Sequence, residues 1–256
     1  MKLNVSDLGR RETEGFTLLE LILVFAVIGI LAALLLPSLA KSKERAKRTV
    51  CVGNLRQLGL GSQLFAEDSE SGALSGTISD SDDNQNWLFP NYLDNLSLFR
   101  CPSTSNFIRE DRFSTNAFKG DRELLDLSRY AGGRSSPGSS YEVYGFMGAN
   151  GSSVTEILGS TNKLLARGVQ KTLSTVHTYE HQNSAFGLRG TMPGPSQIWL
   201  ILDGNLSAGN YPDPAGNHGT SGMNVLMCDG RVDWITQNLW AYSYEMSQDE
   251  NLQGIE

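Results

Sequence analysis

From Leu21 to Ala40 the chain runs for twenty residues without a charged side chain. As an α-helix rising about 1.5 Å per residue, such a run reaches roughly 30 Å, the thickness of a hydrocarbon core. It predicts a transmembrane helix and divides the chain into an anchor and a body. A secretory signal peptide has a shorter apolar region closed by a small-residue cleavage site, whereas this run leads into the basic stretch Lys41 to Arg48. One carboxylate, Glu20, stands at its N-terminal edge. At mid-depth a carboxylate costs about 2.5–3.5 kcal/mol, so it calls for a partner. No basic residue follows within two helical turns. Either Glu20 sits among headgroups in a signal anchor, or its partner arrives later or from another chain.

The segment Gly15-Phe16-Thr17-Leu18-Leu19-Glu20, with the apolar run behind it, resembles the cleavage and methylation signal of type IV pilins and type II secretion pseudopilins. The resemblance implies that a prepilin peptidase cuts after Gly15 and that the new N-terminal residue, Phe16, is methylated. It implies that Glu20 faces the Phe16 amine of a neighbouring subunit, a pairing that would set the axial register of packed helices. Pro37 stands where helices of this family often carry a loosening proline, which removes one backbone hydrogen bond. The 15-residue leader departs from the family in placing Glu12 and Glu14 near the cut, where basic residues are commoner.

The partners so implied are other pilin-like subunits, the peptidase, a secretion or pilus assembly platform and inner-membrane lipid. The implied location is a single pass of the inner membrane, with the head in the periplasm or on the cell surface. Charge bias points the other way. Lys41, Lys43, Arg45, Lys47 and Arg48 follow the span, while Lys2, Arg10 and Arg11 before it are balanced by Asp7, Glu12 and Glu14. The positive-inside tendency alone would put the body in the cytoplasm. The cleavage signal is read by an enzyme and the bias is statistical, so the resemblance is followed.

Of 21 basic and 28 acidic side chains, the first 48 residues hold eight and five, leaving 13 and 23 on the body. So acidic a body argues against a Lys/Arg-built nucleic-acid surface. Some 200 residues remain beyond the anchor, enough for one sizeable core. Three cysteines, Cys51, Cys101 and Cys228, leave three pairings open, as well as the alternative that all stay free and buried.

Past the basic stretch, Cys51, Leu55, Leu58, Ser62 and Phe65 recur at helical spacing and form one face able to pack on a sheet. Gly53, Gly59 and Gly61 each weaken that helix by up to about 1 kcal/mol relative to Ala when exposed. The expectation is a helix from Phe16 to about Ala66, near 75 Å long at the standard rise. Glu67 to Asn86 reads as a solvated acidic loop. Its Asp80, Asp82 and Asn84 alternate as at the start of a calcium loop, but Gln85 replaces the needed glycine and no glutamate stands twelfth. Gly132 to Ser140 reads as a second surface loop. Gln197–Gly204 and the two runs of Met223–Thr236 predict three antiparallel strands, the last two joined at Asp229-Gly230 by a type I′ turn.

His218 followed by Met223 to Trp234 resembles the His and Asp-Gly signature of a large bacterial group of pilin-like proteins. Cys51 to Asp68, "FRCPS" and "YGFMGANG" support the same group. Ten residues separate His218 from Asp229 here, against the commoner nine. This resemblance implies a Cys51–Cys101 disulfide. His218 is expected to staple a loop by hydrogen bonds rather than to hold a metal, and no cofactor is expected.

His177 to His181, "HTYEH", matches the H-x-x-E-H pattern of inverted zinc peptidases, with Glu180 as base. Its surroundings are rich in Thr and Ser and lack apolar helical periodicity, so two exposed histidines on a polar strand or loop are expected. A membrane-anchored zinc hydrolase and a pilin-anchored ligand-binding head using Trp87, Tyr92, Trp199 and Trp234 are the alternatives. The favoured expectation is an α+β, pilin-like, non-enzymatic filament subunit whose long helix packs on an antiparallel sheet. It is divided as leader 1–15, transmembrane helix 16–40, soluble helix 41–66 and head 67–256.

Overall fold

The computed structural model describes residues 16–79, 82–115, 120, 122–128, 136–148, 168–204, 217–219 and 221–250, and the backbone of four short strands between 153 and 166. Helix α1 spans Leu18–Asp68, two residues past the expected end. The chain separates into one unit up to Lys43 and a second from Glu44 onward.

In the first unit every described residue is exposed, including Leu19, Phe25, Ile30, Leu34 and Leu39. It holds the one helical stretch among the described residues that is long and apolar enough to cross a membrane. Pro37 lies inside α1 without ending it.

In the second unit α1 buries the expected stripe: Cys51, Leu55, Leu58 and Ser62, with Ala66 at its end. Phe65 is half-buried against the rings of Trp87 and Tyr92. Gly59 and Gly61 have a second role. A Cβ on Gly59 would come within 2.8 Å of Leu226 Cδ1, and one on Gly61 within 2.9 Å of Leu88 Cδ2. Their cost in helix propensity is offset by close approach to the core.

Strands β1 (Phe113–Thr115) and β2 (Arg122–Leu124) form a ribbon. Strand β3 is Glu142–Val143, and β4 (Phe146–Met147) pairs with β9 (Val169–Gln170). Between them, β5 (Ser153–Val154) pairs with β8 (Leu165–Ala166), and β6 (Ile157–Leu158) with β7 (Thr161–Asn162). After a short α2 (Thr175–Thr178), β10 (Trp199–Leu202), β11 (Gly222–Met227) and β12 (Val232–Thr236) pair antiparallel as expected. With β3 they make a four-stranded sheet in the order β12-β11-β10-β3. The fold is α+β.

A helix that the sequence reading did not anticipate, α3 (Gln237–Gln248), follows directly. It explains why all six residues of β11 are buried. Leu226 packs with Leu55 and Leu58 of α1, while Val225 and Met227 pack with Trp240 and Tyr244 of α3. In β10 a register shift between Trp199 and Ile201 breaks simple alternation. Ile201 joins the α1 cluster, and Trp199 and Leu202 join the α3 cluster.

Three local expectations need correction. The turn at Asp229-Gly230 is not type I′, which needs positive φ at both central residues. Only Gly230 is positive (φ 85°). Gly230 N–H donates to Met227 O and Met227 N–H to Arg231 O, so a three-residue loop with glycine in the left-handed position closes the hairpin. The acidic loop after α1 is not simply solvated, because Leu74, Ser75 and Gln85 are fully buried. The chain can thread there because its polar groups are matched: Gln85 Nε2 donates to Tyr141 O (2.5 Å), and Asp82 accepts from the amides of Ile78 and Asn84. Asp80, the first residue of the calcium-like alternation, lies outside the described residues. In the second expected surface loop, Ser139 and Ser140 are buried, with Ser139 Oγ donating to Gln85 Oε1.

Candidate functional site

Two places concentrate chemistry. The first is the start of α1. Thr17 precedes the helix, and its backbone N–H and hydroxyl both donate to Glu20 Oε2, at 2.9 and 2.7 Å. Glu20 N–H returns a bond to Thr17 Oγ1 at 3.3 Å. This is a capping box, written in the sequence as Thr-x-x-Glu. Glu20 therefore has a partner within its own chain, one that sequence reasoning missed. Phe16 is 77 % exposed beside it. Gly15 lies outside the described residues.

The second place is a buried cluster built from four separate segments. Cys51 comes from α1, Cys101 from the loop after a 3₁₀ turn at Leu96–Phe99, Asp203 from the end of β10, and His218 from the loop before β11. Their ligand-type atoms all lie within 4.8 Å of one another. His218 Nε2 is 3.0 Å from Asp203 Oδ2 and 3.5 Å from Cys101 Sγ, and Cys51 Sγ donates to Asp203 Oδ2 at 2.8 Å.

A second layer holds these groups in place. His218 Nδ1 meets Glu44 Oε1 at 2.7 Å, and Ser103 Oγ bridges the two, donating to Glu44 at 3.0 Å. Asn224 donates its backbone N–H to Asp203 Oδ1 (2.7 Å) and its side-chain amide to Oδ2 (2.5 Å). Tyr141 OH lies 3.4 Å from Cys51 Sγ.

Burial opposes charge on His218, but the hydrogen bonds to Asp203 and Cys101 outweigh it and raise its pKa to about 10. Burial pushes the Cys51 thiol well up. The hydrogen bond from Cys51, aided by His218, lowers Cys101 to about 6.

All three cysteines are free. Cys51 and Cys101, the pair that the resemblance implies as a bridge, share the cluster as two thiols in this structure. Cys228 stands apart, directed at the carbonyl of Trp199. His218 joins its loop to Glu44 and Asp203. Neither acid was foreseen. Asp203-Gly204 had read only as the stop of a strand, and Glu44 was hidden inside a basic run. Asp229 and Gly230 shape the hairpin turn and lie outside the cluster.

The zinc-peptidase pattern does not assemble. Helix α2 ends at Thr178, so His177 and His181 do not share a helical face. His177 and Glu180 are exposed, while His181, against expectation, is buried. Its Nδ1 pairs with Asp249 Oδ1 at 2.9 Å and its Nε2 meets the carbonyl of Glu245 at 2.8 Å. Asp249 also accepts from Tyr179 OH and from the amides of Gln182 and Asn183, which makes this group a clasp on the end of α3. The four aromatics considered as a ligand platform also separate. Trp199 is core, Trp87 and Tyr92 meet Phe65, and Trp234 carries the Arg48 guanidinium on its face.

Residues 10–36 match the family model described as a prokaryotic N-terminal methylation motif. The chain is 35 % identical over 60 residues to the type II secretion system core protein G of Pseudomonas aeruginosa, covering 23 % of this chain and 42 % of that protein. It is 39 % identical over 61 residues to the type IV wide pilus major component PilA4 of Thermus thermophilus, covering 24 % and 47 %. It is 39 % identical over 57 residues to the type IV major pilin protein PilA of Myxococcus xanthus, covering 22 % and 26 %. The chain thus spans less than half the length of these curated relatives. No solved structure matches. What these likenesses share with the geometry is an exposed apolar helix that begins in a methylation motif and carries Glu20 near its start.

Proposed function

We propose that this protein is a pilin-like structural subunit, a pseudopilin or pilin, that polymerises through the first part of α1 into a type II secretion or type IV pilus-like filament. The observation that carries the reading is the methylation motif over residues 10–36, which runs into a helix whose apolar side chains up to Lys43 are all exposed within the chain. Lipid covers such a surface before assembly, and sister helices cover it afterwards. In this reading a prepilin peptidase removes residues 1–15, and Phe16 is methylated. Residues 16–40 then span the inner membrane, 41–66 continue the helix, and 67–256 form a head in the periplasm or on the cell surface. The work is mechanical, driven by an assembly platform, and the chain itself catalyses nothing.

The capping box refines the role of Glu20. Both bonds from Thr17 fall on Oε2. Oε1 can thus receive a neighbour's terminal amine while Oε2 keeps its own helix start. A charge-assisted bond of about 1.5–3 kcal/mol makes the subunit contact roughly tenfold to a hundredfold weaker in Glu20→Ala. Insertion and processing of that variant stay intact, and filament yield falls. Intact-mass analysis of the membrane-extracted protein tests the whole reading. With the peptidase present, the chain begins at Phe16 and carries one added methyl group. A chain still beginning at Met1 overturns it.

A further inference from the structure

We propose that Cys51, Cys101, Asp203 and His218 form a tetrahedral binding site for a divalent transition-metal ion of the zinc class. Sequence alone favoured a loop staple for His218; the convergence of four donor side chains points further. Zinc takes thiolate, imidazole and carboxylate ligands at about 2.0–2.3 Å, and a regular tetrahedron with those bonds has donor–donor edges of about 3.3–3.8 Å. Here the His218–Cys101 edge is 3.5 Å and the His218–Asp203 edge is 3.0 Å. The Cys51–Asp203 edge, 2.8 Å, is the shortest, and all four donors fall within 4.8 Å. Small side-chain rotations bring this set to tetrahedral spacing. Two sulfurs, one nitrogen and one oxygen suit zinc and exclude the all-oxygen shells of calcium and magnesium.

The surrounding layer matches what a metal-binding histidine requires. Histidine ligands commonly donate the second ring N–H to a carboxylate, which fixes the tautomer and turns the other nitrogen to the ion. Glu44 occupies that place at Nδ1, with Ser103 holding its carboxylate. Asn224 orients Asp203 through both oxygens. By contrast, the His181 clasp offers no thiol, and Asp249 there is already taken by Tyr179 and two backbone amides.

On binding, both sulfurs coordinate as thiolates and His218 Nε2 coordinates unprotonated. The displaced protons go to solvent, with no change of oxidation state. With four protein ligands the site is closed and structural. It would tie α1 to the sheet and to two loops.

The test uses the full chain extracted in detergent. Freshly isolated protein is assayed for zinc and peptide-mapped without reduction. It is then stripped with a chelator under reducing conditions and titrated with Co²⁺ followed by Zn²⁺. The expected result is one ion per chain, with the visible bands of tetrahedral cobalt and a thiolate-to-cobalt charge-transfer band that Zn²⁺ abolishes. Cys101→Ser removes the charge-transfer band or weakens it sharply, and Cys228→Ala leaves it unchanged. Glu44→Gln, at a partly exposed position, keeps one-to-one binding with zinc affinity about 10–100-fold lower. A reduced wild-type chain showing only weak, octahedral cobalt overturns the site. So does recovery of Cys51 and Cys101 as a disulfide in the fresh protein.

Discussion

The two parts of α1 share one backbone and contrast in every other respect. From Leu18 to Lys43 no residue of the helix is buried, although leucine, isoleucine, valine and alanine dominate. From Cys51 to Ala66 the helix is more polar, yet it seats Cys51, Leu55 and Leu58 completely in the core. Hydrophobicity alone therefore does not say where a helix is buried. The second part is amphipathic, with a stripe that meets Leu226, Leu88 and Tyr141 in one cluster. The first part is apolar on all sides, which suits lipid or a bundle of like helices.

The sharpest way to break this contrast is to cut the same side chain from each part. Leu58→Ala opens a cavity in the core cluster and should cost about 2–5 kcal/mol. Leu31→Ala, at a site 55 % exposed, should leave the head's unfolding midpoint unchanged. Urea titration in detergent, followed by tryptophan fluorescence, separates the two, because all four tryptophans lie between residues 87 and 240. Equal shifts would mean that the first part is also packed against the head.

Much of this was legible in sequence because it rested on periodicity. The twenty-residue apolar run, the stripe from Cys51 to Ser62 and the three C-terminal strands need only local pattern. The helix Gln237–Gln248 was missed because its six polar residues equal its six apolar ones in number and blur the helical stripe. The signal available was Trp240 and Tyr244 at i and i+4, which stack at 4.7 Å. The buried cluster was half legible. Cys51, Cys101 and His218 stood in recognisable segments, but nothing local ties Asp203 or Glu44 to them. Glu44 and His218 are 174 positions apart, and only the tertiary fold joins them.

Gly59→Ala sharpens the account of the buried part. Alanine improves helix propensity by about 0.8–1 kcal/mol. Its methyl would stand 2.8 Å from a Leu226 side chain that is itself fully buried. Overpacking of this kind costs about 1–3 kcal/mol. The expected balance is a net loss of about 1 kcal/mol, read as a lower urea midpoint. A gain would show that Leu226 has room to move and that the close approach of helix and sheet is incidental.

Gly53→Ala should give the smallest effect and the opposite sign. Gly53 lies in the same part of α1 and is half-buried, but a Cβ there meets nothing within 4 Å. Only the propensity term operates, and the head should gain up to about 1 kcal/mol. Because the two substitutions are chemically identical and six residues apart on one helix, their opposite signs would isolate contact with the sheet from helix propensity. If both stabilise, propensity alone governs this part of the helix, and its distinction from the exposed part would rest on the leucines and not on the glycines.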